Sequence, residues 1–144
     1  TGAIAEHNSS QASPANWSSQ GGWSAKDLGI VNTGTVDINV NLSSDSTAVT
    51  MIGGTGAYFQ FEAYNNMSNS CSAQAAGVCG GALANVTSIA AASTAYEVCK
   101  NVSFVNTKNS VNVSVILGVP QDTVAGNKTA TLTFTATQRS GACA

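Results

Sequence analysis

The strongest constraint on this chain is a period of two. In TVDINVNLSS, Val36, Ile38, Val40 and Leu42 alternate with Asp37, Asn39, Asn41 and Ser43. In NKTATLTFTATQ, Ala130, Leu132, Phe134 and Ala136 alternate with Thr129, Thr131, Thr133, Thr135 and Thr137. Successive strand side chains point to opposite faces, so each segment predicts a β-strand with one buried and one solvated face. A β-branched threonine fits the pleat while its hydroxyl stays in water. AYFQFEAY sets Phe59, Phe61 and Ala63 against Tyr58, Gln60, Glu62 and Tyr64 in the same manner. Further strands are expected near 26–32, 46–52 and 95–106, and at 110–117. Turn signals punctuate them at Asn32-Thr33-Gly34, Gly53-Gly54, Gly118-Val119-Pro120 and Gly126-Asn127. Short strands so punctuated predict an all-β chain forming a single antiparallel β-sandwich of about seven or eight strands. One short helical turn is expected in the Ala-rich stretch 71–94, where Gly77, Gly80 and Gly81 oppose anything longer.

The 144 residues suit one domain. Residues 1–22 are small, polar and weakly patterned, and read as an N-terminal extension; residues 23–144 read as the sandwich. Only 8% of residues are charged, against about 25% in ordinary globular proteins. With a net charge of −2, the chain offers no basic patch for nucleic acid or anionic lipid. No run of 18 apolar residues is present, so no transmembrane segment is expected. The chain starts at Thr1 without Met, as it would after removal of an upstream secretion signal.

Cys71, Cys79, Cys99 and Cys143 are spaced by 8, 20 and 44 residues, and the sole histidine is His7. That is not zinc-ligand spacing. Two disulfides and an oxidising compartment follow. Three connectivities are open. The favoured one is Cys71–Cys79, closing a short Ala/Gly loop, with Cys99–Cys143 tying the C-terminus to a strand.

N-glycosylation acceptor triplets start at Asn8, Asn16, Asn41, Asn66, Asn85, Asn101, Asn112 and Asn127, eight in all. The composition alone would generate about three, so covalent N-glycans are expected at these asparagines. Two of the triplets fall in KNVSFVNTKNSVNVSV. A hairpin turning at Lys108-Asn109 would set Phe104 against Val113 and Val102 against Val115 in the core. Asn101 and Asn112 would then lie on the opposite face. Lys100 and Cys99 fall out of phase, which predicts a bulge or a strand end there. A sheet carrying sugar on its face would have to assemble through edges or ends.

Catalytic constellations are sparse. His7 lies in the loose N-terminal segment, whereas a Ser-His-Asp triad needs its histidine held rigidly beside a serine. Glu6, Asp27, Asp37, Asp45, Glu62, Glu97 and Asp122 show no spacing that singles out a glycosidase pair or a calcium loop. GGTG at 53–56 lacks the lysine and helix of a phosphate loop. Trp17, Trp23, Tyr58 and Tyr64 suit core or interface packing as well as sugar stacking. No catalytic residues, cofactor or metal are assigned, and the chain is not read as an enzyme.

DLGIVNTGTVDINVNLSSD, 27 to 45, and GVPQDTVAGNKTATLTFTATQ, 118 to 138, together resemble small secreted subunits of cell-surface filaments. The resemblance is to archaeal pilins joined by donor-strand complementation, of the glycosylated thread and bundling-pilus types. The AGNKTATLTFTATQ ending is also similar to the last strand of bacterial type 1 pilins. The resemblance covers about the last fifth of the chain well and the rest by pattern. It implies an Ig-like or pilin-like sandwich with an open groove, filled by the N-terminal extension of the next identical subunit. Backbone pairing then supplies affinity, and the contact propagates head-to-tail. The donor strand would lie in residues 1–13, with Ala3, Ile4, Ala5 and Ala12 as its apolar residues. An extracellular filament for adhesion or biofilm is the implied role. The alternative is a monomeric surface-layer or carbohydrate-binding module.

Overall fold

The computed structural model describes residues 4–8, 27–71 and 83–139. The elements in chain order are β1 (Ile4–Asn8), β2 (Leu28–Val31), β3 (Ile38–Ser44), α1 (Ala48–Met51), β4 (Tyr58–Asn65), β5 (Thr87–Ser88), β6 (Tyr96–Val102), β7 (Ser110–Pro120) and β8 (Leu132–Gln138). They form two antiparallel sheets, the sandwich expected from the alternation. The first places β7 between β4, which leads on to β5, and a split edge made of β1 and β2; the second runs β6-β3-β8. β2 pairs with the first part of β7, from Ser110 to Val113, and β1 with the last part, from Ile116 to Pro120.

The alternating segments bury most of the residues that their period selects, though Val36 lies before the start of β3 and is exposed. β3 buries Val40 and Leu42, and β4 buries Phe59, Phe61 and Ala63. These pack with Cys71, Ile89, Val98, Cys99, Val102, Val111 and Val113 in one core. Phe61 is wholly buried and meets the ring of Tyr96 on the other sheet edge-to-face, 6.2 Å between centroids. Burying such a side chain stabilises by roughly 1.5–3 kcal/mol. β8 is an edge strand, so its inner residues are less covered. Leu132 and Phe134 are half-buried, while Ala136, expected inside, is exposed.

Three expectations are corrected, and a fourth is tested only in part. The stretch 46–52 is not a strand. Thr47 caps the single turn of α1: the Thr50 N–H donates to its hydroxyl, and its own N–H donates to the Thr50 hydroxyl. This is a capping box with threonine in the place of glutamate. The Gly118-Val119-Pro120 turn is instead the end of β7. There the Tyr58 ring lies so close over Gly118 that any Cβ would collide with it. Residues 83–94 contain no helix. They run between the sheets, with Ala84 N–H donating to Val98 of β6 and Ala84 C=O accepting from Ala63 of β4. This segment closes one flank of the sandwich; residues 72–82 lie outside the described residues.

The third correction concerns the hairpin. β6 and β7 do not pair; they lie in opposite sheets, and residues 103–109 cross between them. Phe104 and Val105 are exposed at the crossing, and Phe104 does not face Val113. The bulge expected near Lys100 is present. Opposite β3, β6 carries two register shifts, one between the Ile38↔Val102 and Val40↔Cys99 pairs and one between Val40↔Cys99 and Asn41↔Glu97. Each extra residue turns the following side chains to the other face.

Candidate assembly edge and asparagine surface

The one disulfide among the described residues is Cys71–Cys99, with 5.9 Å between Cα atoms. Both favoured pairs, Cys71–Cys79 and Cys99–Cys143, are thereby corrected. The turn after β4 brings Cys71 against β6, where it bridges to Val102 beside Cys99. The bond ties the segment after β4 to β6 in the core, which sequence spacing does not reveal. Cys79 and Cys143 lie outside the described residues.

Of the expected donor residues, Ile4 and Ala5 fall in β1; Ala3 and Ala12 lie outside the described residues. β1 joins the edge of β7 with the register Ile4↔Pro120, Ala5↔Val119, Glu6↔Gly118, His7↔Leu117 and Asn8↔Ile116. The sequence reading did not name this acceptor. Its signal was the breakdown of alternation in VSVILGVP: a strand flanked on both edges and covered on both faces reads as a continuous apolar run. The other edge of the same stretch is held by β4, from Tyr58↔Gly118 to Asn65↔Val111. β7 is thus the platform on which an N-terminal strand is received.

The sequon asparagines divide by environment. Asn66, Asn85 and Asn127 are exposed, whereas Asn41 and Asn112 are half-buried. Asn112 donates from its amide to Asn66 Oδ1, 3.3 Å away, and Asn66 in turn donates to Ser110 Oγ. Asn8 lies in β1, and Asn16 is outside the described residues. Asn101, expected on the solvated face, is instead 2% exposed. The bulged β6 turns it inward, where an amide oriented to satisfy both neighbours donates to Asp37 Oδ2 at 3.0 Å and accepts from Arg139 Nη1 at 3.2 Å. Both ends of the amide are engaged, so no glycosyl bond forms there without dismantling the site. Peptide mapping of the native protein should find sugar on Asn85 and Asn127 and bare Asn101. Asn101→Ala should destabilise by roughly 1–3 kcal/mol, since it removes the partner of Asp37 Oδ2 and Arg139 Nη1; chemical denaturation checks this.

The described aspartates staple distant loops. Asp27 accepts from the Ser114 hydroxyl, Asp37 from Phe104 N–H, Asp45 from Thr131 N–H, and Asp122 from both the N–H and the hydroxyl of Thr55. Glu62 is a half-exposed strand residue opposite Ser114. Among the described residues no three His, Cys, Asp or Glu side chains are grouped as a metal site. The backbone hydrogen bond from Thr55 holds the Asp122 carboxyl below its ordinary pKa, and that from Thr131 does so for Asp45. A carboxyl with a depressed folded-state pKa contributes stability above its unfolded value, and that contribution is lost as pH falls through the folded value. Asp122→Ala should therefore lower the melting temperature at pH 7 and make little difference near about pH 2. Thermal melts of both proteins at the two pH values check it.

No protein-family model, curated protein or solved structure matches the chain. No helix among the described residues is long and apolar enough to cross a membrane.

Proposed function

We propose that this chain is the repeating subunit of an extracellular, N-glycosylated filament of the pilus or thread kind. It polymerises head-to-tail by insertion of its N-terminal strand into the sheet of a neighbour, in the service of adhesion or biofilm formation. The observation that carries this reading is the seating of β1 on β7: a short strand from the extension completes an edge of the central strand. Twenty residue steps separate Asn8 from Leu28, a reach of up to about 70 Å when extended. β7, at 11 residues, is only about 37 Å long. The tether is therefore long enough for the same strand to pair with the same edge of the next copy. Exchange of this kind repeats every backbone hydrogen bond made within one chain, so it costs little. Because donor and acceptor are different surfaces, the contact is head-to-tail and propagates wherever the rotation between copies does not close.

The pairing within one chain also favours a second reading, a monomeric surface module whose own β1 stays on its own β7. Electron microscopy of the purified native protein separates the two. Regular fibres are expected, and monodisperse particles would sink the filament reading.

A further inference from the structure

Most of the exposed large apolar side chains, Leu28 and Val86 apart, lie toward the two ends of β7. Where β7 begins, Val31, Val36, Met67, Phe104 and Val105 are 39–55% exposed. They belong to one end of the sandwich, since Val31 pairs with Ser110, Asn65 pairs with Val111, and Asn32 N–H donates to Asn109. This tip is held firmly. The buried Asn32 amide donates to the carbonyls of Val36 and Val102, and the buried Asn109 amide donates to Asn32 C=O. Phe104 N–H is held by Asp37.

At the far end, α1 and the start of β4 frame a cleft of about 190 Å³ lined largely by Ala48, Val49, Ala57, Tyr58, Phe59 and Ile89. A cavity of about 150 Å³ holds a benzene ring, so this cleft admits one phenylalanine ring. Val49, at its rim, is 75% exposed. The charges near the two ends complement one another. Lys108 and Arg139 outnumber Asp37 at the tip, while Asp45 and Asp122 outnumber Lys128 at the cleft end. A surface that is apolar at both ends and opposite in charge fits a second copy of itself stacked in the same direction, and such a stack does not close.

We infer that the cleft beside α1 receives the loop of residues 103–109 from the next copy, with Phe104 seated between Val49 and Ile89. This rests on the filament reading for the direction of stacking, but it adds a second contact that is independent of β1. Strand exchange would tether neighbouring subunits; this seat would fix the angle between them.

The test places the photoreactive phenylalanine analogue benzoylphenylalanine at position 104 in the full chain, in a mixture of isotopically light and heavy copies. Irradiation should join position 104 of one copy to residues 47–59 or 88–90 of another. Joining only elsewhere, or no joining between copies, overturns the seat. Electron microscopy of the same sample distinguishes this outcome from failure of the filament reading, since fibres without the crosslink overturn only the seat. A companion variant, Phe104→Asp, should raise the concentration needed for assembly about tenfold or more, as losing a buried aromatic anchor does, with the monomer's melting temperature unchanged. An unchanged assembly concentration would also overturn it.

Discussion

Deleting residues 1–13 should abolish fibres and leave a folded, soluble sandwich. The two halves of this result have separate causes. Assembly is lost because the deletion removes β1, and with it five residues of antiparallel pairing to the edge of β7. Backbone pairing supplies the affinity of strand addition, so without the strand the tether that joins successive subunits is gone. The fold is kept because the core cluster draws its buried residues from β3, β4, β6, β7, Cys71 and Ile89. The deletion also uncovers the β7 edge from Ile116 to Pro120. An added synthetic peptide of residues 1–13 should bind the truncated protein and cap it as a monomer. A truncated protein that still forms fibres would show that assembly uses another surface.

Removing the disulfide should have the largest effect on stability. Cys71 and Cys99 are 28 residues apart in sequence and bonded in the core. Closing a loop of that length removes chain entropy from the unfolded state worth about 3.5 kcal/mol. For a domain of this size that corresponds to a fall in melting temperature of roughly 10 °C. The double variant Cys71→Ala/Cys99→Ala should show it in thermal melts. Non-reducing peptide mapping should recover Cys71 joined to Cys99. Recovery of Cys71 joined to Cys79 would contradict the fold at the point where the segment after β4 is tied to β6.

The parts of the fold that were legible are those where one residue in two faces the core. β3 and β4 could be placed from their alternation because each has a plainly apolar inner face. β8 was placed for the same reason, though its edge position leaves Ala136 outside. β6 was misread because two bulges break its period, and the error carried over to Asn101. A local pattern says which residues alternate, not which strand lies beside which, so β6 and β7 were wrongly joined across residues 103–109. The same limit hid the Cys71–Cys99 bond, which depends on the turn after β4 meeting β6. A strand in the extension, at Ile4 and Ala5, was expected from the resemblance to strand-donating pilins, and β1 lies there. Its acceptor was not, because a central strand covered on both faces loses the alternation that marks the others.

The most direct measurement is a crosslink built on the register of β1. Ala5 pairs with Val119, so the variant Ala5→Cys/Val119→Cys sets two thiols across the proposed junction. Oxidised under assembly conditions and run under denaturing, non-reducing conditions, it should give a ladder of covalent dimers, trimers and longer chains that collapses to monomer on reduction. A product that stays entirely monomeric, with the two cysteines joined within one chain, would mean that β1 remains on its own β7 and that the protein is not a strand-exchanged filament.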